Sequence, residues 1–303
     1  MQVERRNYHC PNEQCENFNR SAKHTRARFY VREGKFITQW NHQPVPRYHC
    51  KACGKYFSSH TFRSTFLQKR PDLNSQVYRL YCSGTTQRRI AKELGCNLKT
   101  VVRKFLFMAR EARKAHERML ASNADSVDEV QFDEMESFEH TRLKPVSIAL
   151  AVSGDGKQII DAQVGTLHYK GRLAALALRK YGKRQDTSKQ ARGSTLQSVA
   201  QVSKPQLKIV TDAKPSYSQE LKENFQDCAH VAVANRRNQI QYAQNPTRRK
   251  NIDDPLFWLN HVAARIRHDV SRMMRKVWTT TKRIDRLEAH LNLFIAYYNG
   301  YSF

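Results

Sequence analysis

From Val127 onward the apolar residues change period in a fixed order, and that order constrains the fold more than any single motif. The runs Val127 to Phe138, Pro145 to Val152 and Lys157 to Leu167 read as three successive strands, the last two joined by the turn Ser153-Gly154-Asp155-Gly156. Arg172 to Tyr181 has helical spacing, and the polar stretch Gly182 to Gly193 reads as a surface loop. Gln206 to Thr211 is then expected as a fourth strand, Tyr217 to Phe225 as a helix and Ala229 to Ala234 as a fifth strand, with helix from Asp254 through Tyr298. Upstream, residues 66–122 read as helices, and residues 1–65 hold two cysteine pairs, many aromatics and little helical periodicity. The small polar join Ser122 to Ser126 reads as a linker. The expectation is an α/β, multidomain chain with boundaries at 1–65, 66–122 and 127–303.

Three strands, helix, strand, helix, strand, helices is the order of a ribonuclease H-like core, in which the first and fourth strands are neighbours. Asp133 lies in the first predicted strand and Asp212 ends the fourth, so residues 79 apart in sequence are expected side by side. Two such carboxylates can hold Mg²⁺. A pair of these ions activates the attacking oxygen and stabilises the leaving one in phosphoryl transfer. A strand-end aspartate on its own also serves as a turn or cap residue, so the joint placement carries this expectation.

Charge indicates the partner. Lys and Arg number 53 against 27 Asp and Glu in 303 residues, a net charge of +26, while 40% of residues stay hydrophobic. That excess argues against a metabolic enzyme of small anions and for a polyanion, double-stranded DNA being the expected one. Aromatics and aliphatics are interleaved with the charge throughout, which speaks against disorder. Met1 to Asn7 has no apolar stretch behind it, and no window approaches about 18 apolar residues, so neither secretion nor membrane spanning is expected. Seven cysteines, with Cys82, Cys96 and Cys228 standing alone, suit reduced thiols and metal in a cytoplasmic, nucleoid-associated protein.

Cys10-x4-Cys15 and Cys50-x2-Cys53 lie 34 residues apart, each half-site preceded by Tyr-His. Two short loops that each deliver a thiolate pair are the usual way a zinc ribbon builds its tetrahedral Zn²⁺ site. Lys51, Lys55 and Gly54 fit a knuckle that offsets the thiolate charge. His9 and His49 directly precede cysteines and are expected to be structural. Downstream, Thr86 to Lys104 has a helix-turn-helix arrangement. Ala91 allows close approach, Gly95 makes the turn, and Ile90, Leu94, Leu98 and Val101 form the internal face. Arg88, Arg89, Asn97, Lys99, Thr100, Arg103 and Lys104 are then expected toward the major groove or its phosphates. Between Arg88 and Arg118 ten Lys and Arg stand against three acids. An ordinary amphipathic hairpin with a solvated basic face is the plainer alternative.

These residues together carry a resemblance. Cys10/Cys15, Arg47-Tyr48-His49-Cys50-Lys51-Ala52-Cys53, the helix-turn-helix, Val130-Gln131-Phe132-Asp133-Glu134, Thr211-Asp212, the Arg267, Arg272, Arg275, Lys276 series and Tyr297-Tyr298-Asn299 follow one order over nearly the whole chain. The chain resembles bacterial insertion-sequence transposases with a DDE-type catalytic domain, above all the insertion sequence one family, whose two coding regions are fused by frameshifting. The resemblance implies binding of terminal inverted repeats, Mg²⁺-dependent cleavage at transposon 3′ ends, and strand transfer into target DNA by the freed 3′-hydroxyl. It implies a dimer or higher oligomer, and DNA contacts from Arg267, Arg272, Arg275 and Lys276. The family's third acid is a glutamate seven residues before the position of Arg267, and here that position is Asn260. Three alternatives stay open: the Asn260 carbonyl replaces the acid, the register differs and Glu288, Asp253 or Asp254 serves, or this copy is inactive. Two rival functions also remain: a repressor-like DNA-binding protein, and a ribonuclease H-like nuclease without transposition.

Overall fold

The computed structural model describes residues 8–18, 28–233, 254–274 and 280–303. They fall into two compact units, Met1–Asn74 and Ser75–Phe303. In the first, β1 (Tyr30–Ile37), β2 (Pro44–Cys50) and β3 (Tyr56–Ser58) form an antiparallel sheet in that order. Its core is small: Cys10, Cys15, Phe29, Cys50 and Phe57, with Tyr8, Tyr30 and Tyr48 packed around them. A core of this size buries too little apolar surface to stand alone without a cross-link.

The second unit begins with α1 (Leu73–Cys82), α2 (Gln87–Glu93) and α3 (Leu98–Ser122). Gly95 turns the chain between α2 and α3 at φ +55°, a conformation costly for a residue with a Cβ. Ile90 and Val101 are fully buried, whereas Leu98, expected inside, is 38% exposed because α3 starts there and its first turn points to solvent. The helical segment expected as a domain of its own packs instead with the sheet that follows it. Leu120 of α3 joins the core beneath the sheet, and the Cys82 thiol of α1 reaches the Leu293 carbonyl.

That sheet contains β4 (Val127–Phe138), β5 (Pro145–Ser153), β6 (Ile159–Thr166), β7 (Ser203–Asp212) and β8 (Cys228–Val233), in the spatial order β6-β5-β4-β7-β8. β4, β5 and β6 pair antiparallel through short turns. β7 and β8 add in parallel, which requires crossover connections, here helical. After a 3₁₀ turn at Gly171–Leu173 come α4 (Ala174–Tyr181) and α5 (Ser188–Val202) before β7, then α6 (Pro215–Asn224) before β8. α7 (Phe257–Asp269), a 3₁₀ turn at Ser271–Met273 and α8 (Ile284–Tyr298) complete the chain.

The expected loop Gly182 to Gly193 is corrected in its second half, because Ser188 onward belongs to α5. Small side chains let this helix lie close on the sheet, and a Cβ at Gly165 would stand 2.7 Å from the Ser188 Cα. Two apolar layers result. One packs Phe132 and Ile209 against Leu196, Val199 and Tyr217 on the α5/α6 side. The other packs Met135, Ile148 and Val210 against Leu259, Val262 and Phe294 on the α7/α8 side. No helix among the described residues is long and apolar enough to cross a membrane.

Candidate functional site

Side chains alternate along β4, so Gln131, Asp133 and Met135 share the α7 side while Phe132 and Glu134 face α5 and α6. The parallel register pairs Phe132 with Thr211, so Asp133 and Asp212 come next, beside one another on adjacent strands. The Leu259 amide donates to Gln131 Oε1 at 2.8 Å, docking the first turn of α7 two residues from Asp133. Asp133 Oδ1 accepts from the Glu134 amide at 2.6 Å and from the Tyr217 hydroxyl at 3.1 Å. Burial pushes the Asp133 carboxyl above its ordinary range and the charge of Asp212 adds to that, against the opposing pull of the Glu134 amide. Asp212 Oδ1 accepts from the Lys214 amide at 3.1 Å. Among the described residues neither aspartate has a cationic side chain within ion-pair distance.

Glu134 is in the opposite condition. Arg192 lies 3.1 Å from its Oε1, Ser147 donates to it at 2.6 Å, and the Lys214 ammonium bonds its other oxygen. Arg192 also grips Glu220 with two bonds of 2.7 Å. Burial alone would raise the Glu134 carboxyl, but Lys214, Ser147 and Arg192 together hold it below its ordinary value. Burial, then the charges of Asp133 and Glu134, push the Tyr217 phenol up, so it remains a hydrogen-bond donor. Tyr217, Lys214, Arg192 and Glu220 were not singled out from the sequence. Only Glu134, as the neighbour of Asp133, hinted at them.

The expected third residue stands apart from this pair in its bonding. Asn260 is exposed on α7 and its amide donates to Asp254 Oδ2 at 2.9 Å. Asn260, Ala264 and Arg267, spaced by four and three residues, share the exposed face of α7, and Ser271, the next at that spacing, is buried in the following 3₁₀ turn. Glu288 sits on α8, where burial raises its carboxyl, Asp285 adds to that and Arg113 of α3 opposes it. Its charged neighbours are therefore Asp285 and Arg113, with neither Asp133 nor Asp212 among them. Among the described residues no group of three or more Asp, Glu, His or Cys with ligand atoms all within 4.8 Å of one another includes Asp133 or Asp212. Asp253 and Ala234 lie outside the described residues, as do Tyr242, Arg275, Lys276 and Trp278. Trp258 lies against Gly156, where a Cβ would meet its ring at 2.2 Å. Asn299 pairs with the amide and carbonyl of Ile159 at 3.0 and 2.9 Å, so this part of the Tyr297-Tyr298-Asn299 series fastens the start of β6.

The four cysteines come together. Cys10 Sγ is 3.4 Å from Cys53 Sγ, Cys15 Sγ is 3.8 Å from Cys50 Sγ, and all four sulfurs lie within 4.8 Å of one another. A tetrahedron of thiolates at about 2.3 Å from Zn²⁺ has sulfurs about 3.8 Å apart, so this cluster can hold zinc. Gly54, at φ +68°, closes the second knuckle by donating to the Cys50 carbonyl at 2.8 Å. The Lys55 amide brings the Cys53 thiol down to about 6, whereas burial pushes Cys10 up to about 12. His49 Nδ1 lies 2.7 Å from Glu33, and the His9 ring lies tilted against Phe62 with centroids 4.7 Å apart, and neither histidine belongs to the cluster.

On the helical hairpin Arg88, Arg89, Lys99 and Arg103 are exposed and Thr100 is half-buried. Asn97 is committed locally, its side chain accepting from the Lys99 amide at 2.8 Å as the N-cap of α3. Lys104 is corrected: it is 6% exposed and turned inward with Val101, Phe105 and Met108, one position off the outward stripe. Arg267 is exposed, whereas Arg272 is half-buried with its guanidinium 5.5 Å from the Phe105 ring centre. Compared with known proteins, the chain matches no family model and no curated protein.

Proposed function

We propose that the chain is a DNA transposase of the DDE type. In this reading the cysteine unit and helical hairpin hold terminal inverted repeats, and the sheet carries 3′-end cleavage and strand transfer. The observation that carries it is Asp133 and Asp212, side by side on parallel β4 and β7, with no cationic side chain among the described residues paired to either. A sheet ordered third-second-first-fourth-fifth in chain sequence, with the first three strands antiparallel and the rest parallel, is what a ribonuclease H-like core requires. The raised Asp133 carboxyl suits a dication, which would relieve the repulsion between the pair. Mg²⁺ bound there would activate an attacking oxygen and stabilise a leaving one.

The chain's own residues supply the support for that site. Asp133 and Asp212 would be its ligands, Tyr217 would orient Asp133 through its hydrogen bond, and α7, docked on Gln131, would bring Asn260 and Arg267 toward the DNA strand. An Asn260 side chain released from Asp254 would offer a neutral carbonyl oxygen as third ligand. In the first unit, Cys10, Cys15, Cys50 and Cys53 would hold a structural Zn²⁺. The DNA flanking the gene supplies the substrate. With its inverted repeat, Mg²⁺- or Mn²⁺-dependent nicking at the 3′ ends is expected and is lost in Asp133→Ala and Asp212→Ala. Unchanged nicking in both variants would overturn the assignment.

One observation favours a second reading. That no third acid joins Asp133 and Asp212 in a cluster among the described residues suits a DNA-binding protein derived from such an enzyme but no longer catalytic. It predicts tight, salt-sensitive repeat binding with no strand-transfer product under any divalent ion.

A further inference from the structure

A cavity of about 480 Å³ opens between the start of α2 and the 3₁₀ turn that follows α7. Arg88, Arg272 and Lys282 bring three cations to it, Gln87 and Ser271 add polar groups, and no acidic residue among the described residues lines it. Two of its lining residues each carry a buried polar atom without a hydrogen-bond partner among the described residues. One is the hydroxyl of Tyr81, a residue 1% exposed, and the other is Arg272 Nε. Burial pushes the Tyr81 phenol up, and the charge of Arg272 and the Gln87 side chain beside it pull the other way. Arg272 rests on the Phe105 ring, which fixes the plane of the guanidinium without satisfying its donors. Asp285 is near enough to be felt by Arg272, yet its carboxylate is taken by Arg283 at 2.7 Å.

A buried donor left without an acceptor costs about 1–3 kcal/mol, so two of them in one cavity mark the place of a missing acceptor. An acceptor that satisfies a phenol and a guanidinium with two further cations at its side is an oxyanion carrying several oxygens. We infer that this cavity binds a phosphate group, and that the group belongs to a DNA backbone. Arg88 and Lys282 are exposed at the rim, so the cavity is accessible to a polymer as well as to a small ion. The assignment rests on the DNA partner proposed above and adds a position to it. Arg88 and Arg272, 184 residues apart, become parts of one grip in place of two separate basic surfaces.

The test uses the full chain without divalent ions, so failure of the catalytic reading at Asp133 does not decide it. Duplex affinity is measured against salt for the wild type, Lys282→Ala, Tyr81→Phe and the control Lys222→Ala on the exposed side of α6. Lys282→Ala is expected to bind about three- to tenfold more weakly at low salt, with the slope of log K against log salt smaller by about one phosphate contact. Tyr81→Phe weakens binding without changing the slope, because it removes a donor and no charge. Lys222→Ala changes neither. Arg272→Gln removes packing on Phe105 as well as charge, so Lys282→Ala and Tyr81→Phe decide the matter. Inorganic phosphate, compared with chloride at equal ionic strength, is expected to raise the Tm of the wild type more than that of Lys282→Ala. Folded variants with unchanged affinity, slope and phosphate response would overturn the site. A phosphate response that differs while duplex binding stays the same would overturn the DNA assignment and identify a free phosphate as the ligand.

Discussion

The two sides of β4 hold acidic residues in opposite electrical condition, one peptide bond apart. On the α5/α6 side Glu134 is matched by Arg192 and Lys214, and the chain itself provides the counter-charge. Asp133, one residue earlier, has neutral hydrogen-bond donors in the Glu134 amide and the Tyr217 hydroxyl, but the charge facing it across the strand pair is another carboxylate, Asp212, and no cationic side chain among the described residues pairs with it. A protein keeps a buried acid charged only where something cancels it. Where its own residues do that, the group is architectural. Where they do not, the acid holds its proton more tightly, as the raised Asp133 carboxyl does, or becomes a candidate for an outside cation. The four clustered thiols of the first unit, which could hold a metal ion, are the other such candidate among the described residues.

The comparison breaks most visibly at the cysteines. Structural zinc sites bind with about 10–16 kcal/mol of free energy that is also folding free energy. Chelation is therefore expected to unfold the first unit while the second keeps its helical circular dichroism, and a first unit that survives chelation intact would remove it from the class needing an outside cation. Next in size is Arg192→Met, which strands Glu134 and Glu220, both 8% exposed, without their shared cation. Urea unfolding of the metal-free chain should show a loss of about 3–5 kcal/mol. A loss below about 1 kcal/mol would mean that the network does not hold the sheet.

Smallest, and of opposite sign, is Asp133→Asn. It removes the repulsion with Asp212 and is expected to stabilise the metal-free protein by up to about 1 kcal/mol while abolishing nicking. The pH profiles of the two acids separate in the same way. Glu134 is held below its ordinary value of 4.5, so its contribution is present above that value and is lost as pH falls through its lowered range. Asp133 is raised above 3.8, so the folded chain holds its proton more tightly and stability declines as pH rises through the raised range. Unfolding midpoints of Asp133→Asn and Glu134→Gln from about pH 3 to pH 7 should differ from wild type with opposite slopes. Parallel profiles would erase the distinction.

Much of this was legible in the amino-acid order. The period changes after Val127 located the five strands of the second unit to within a few residues, while β1 to β3 of the first unit were not foreseen, and the spacing of Cys10, Cys15, Cys50 and Cys53 already implied a single cluster. Asp133 and Asp212 could be paired because strand order decides which carboxylates become neighbours. α5 escaped notice because its buried side mixes Ser188, Ala191, Arg192, Thr195 and Ser198 with Leu196, Val199 and Val202, which weakens the apolar contrast, above all in its first half. Lys104 was misassigned because the outward stripe of a basic helix is hard to place when lysines surround it. The Glu134–Arg192–Glu220 network was invisible for a different reason. Its partners lie 58 and 28 residues apart in sequence, and no local pattern distinguishes a compensated carboxylate from a bare one.

Helix α3 begins at the hairpin turn and runs unbroken for 25 residues, about 37 Å, to the edge of β4. Its far end is fastened, with the Ser126 amide on the Val202 carbonyl at 3.0 Å and the Ser126 hydroxyl on Asn123 at 2.6 Å. Such a rod is a ruler. Whatever its first turn grips is held at a set distance and angular phase from Asp133, and each residue added within it would lengthen the span by about 1.5 Å and rotate the grip by about 100°.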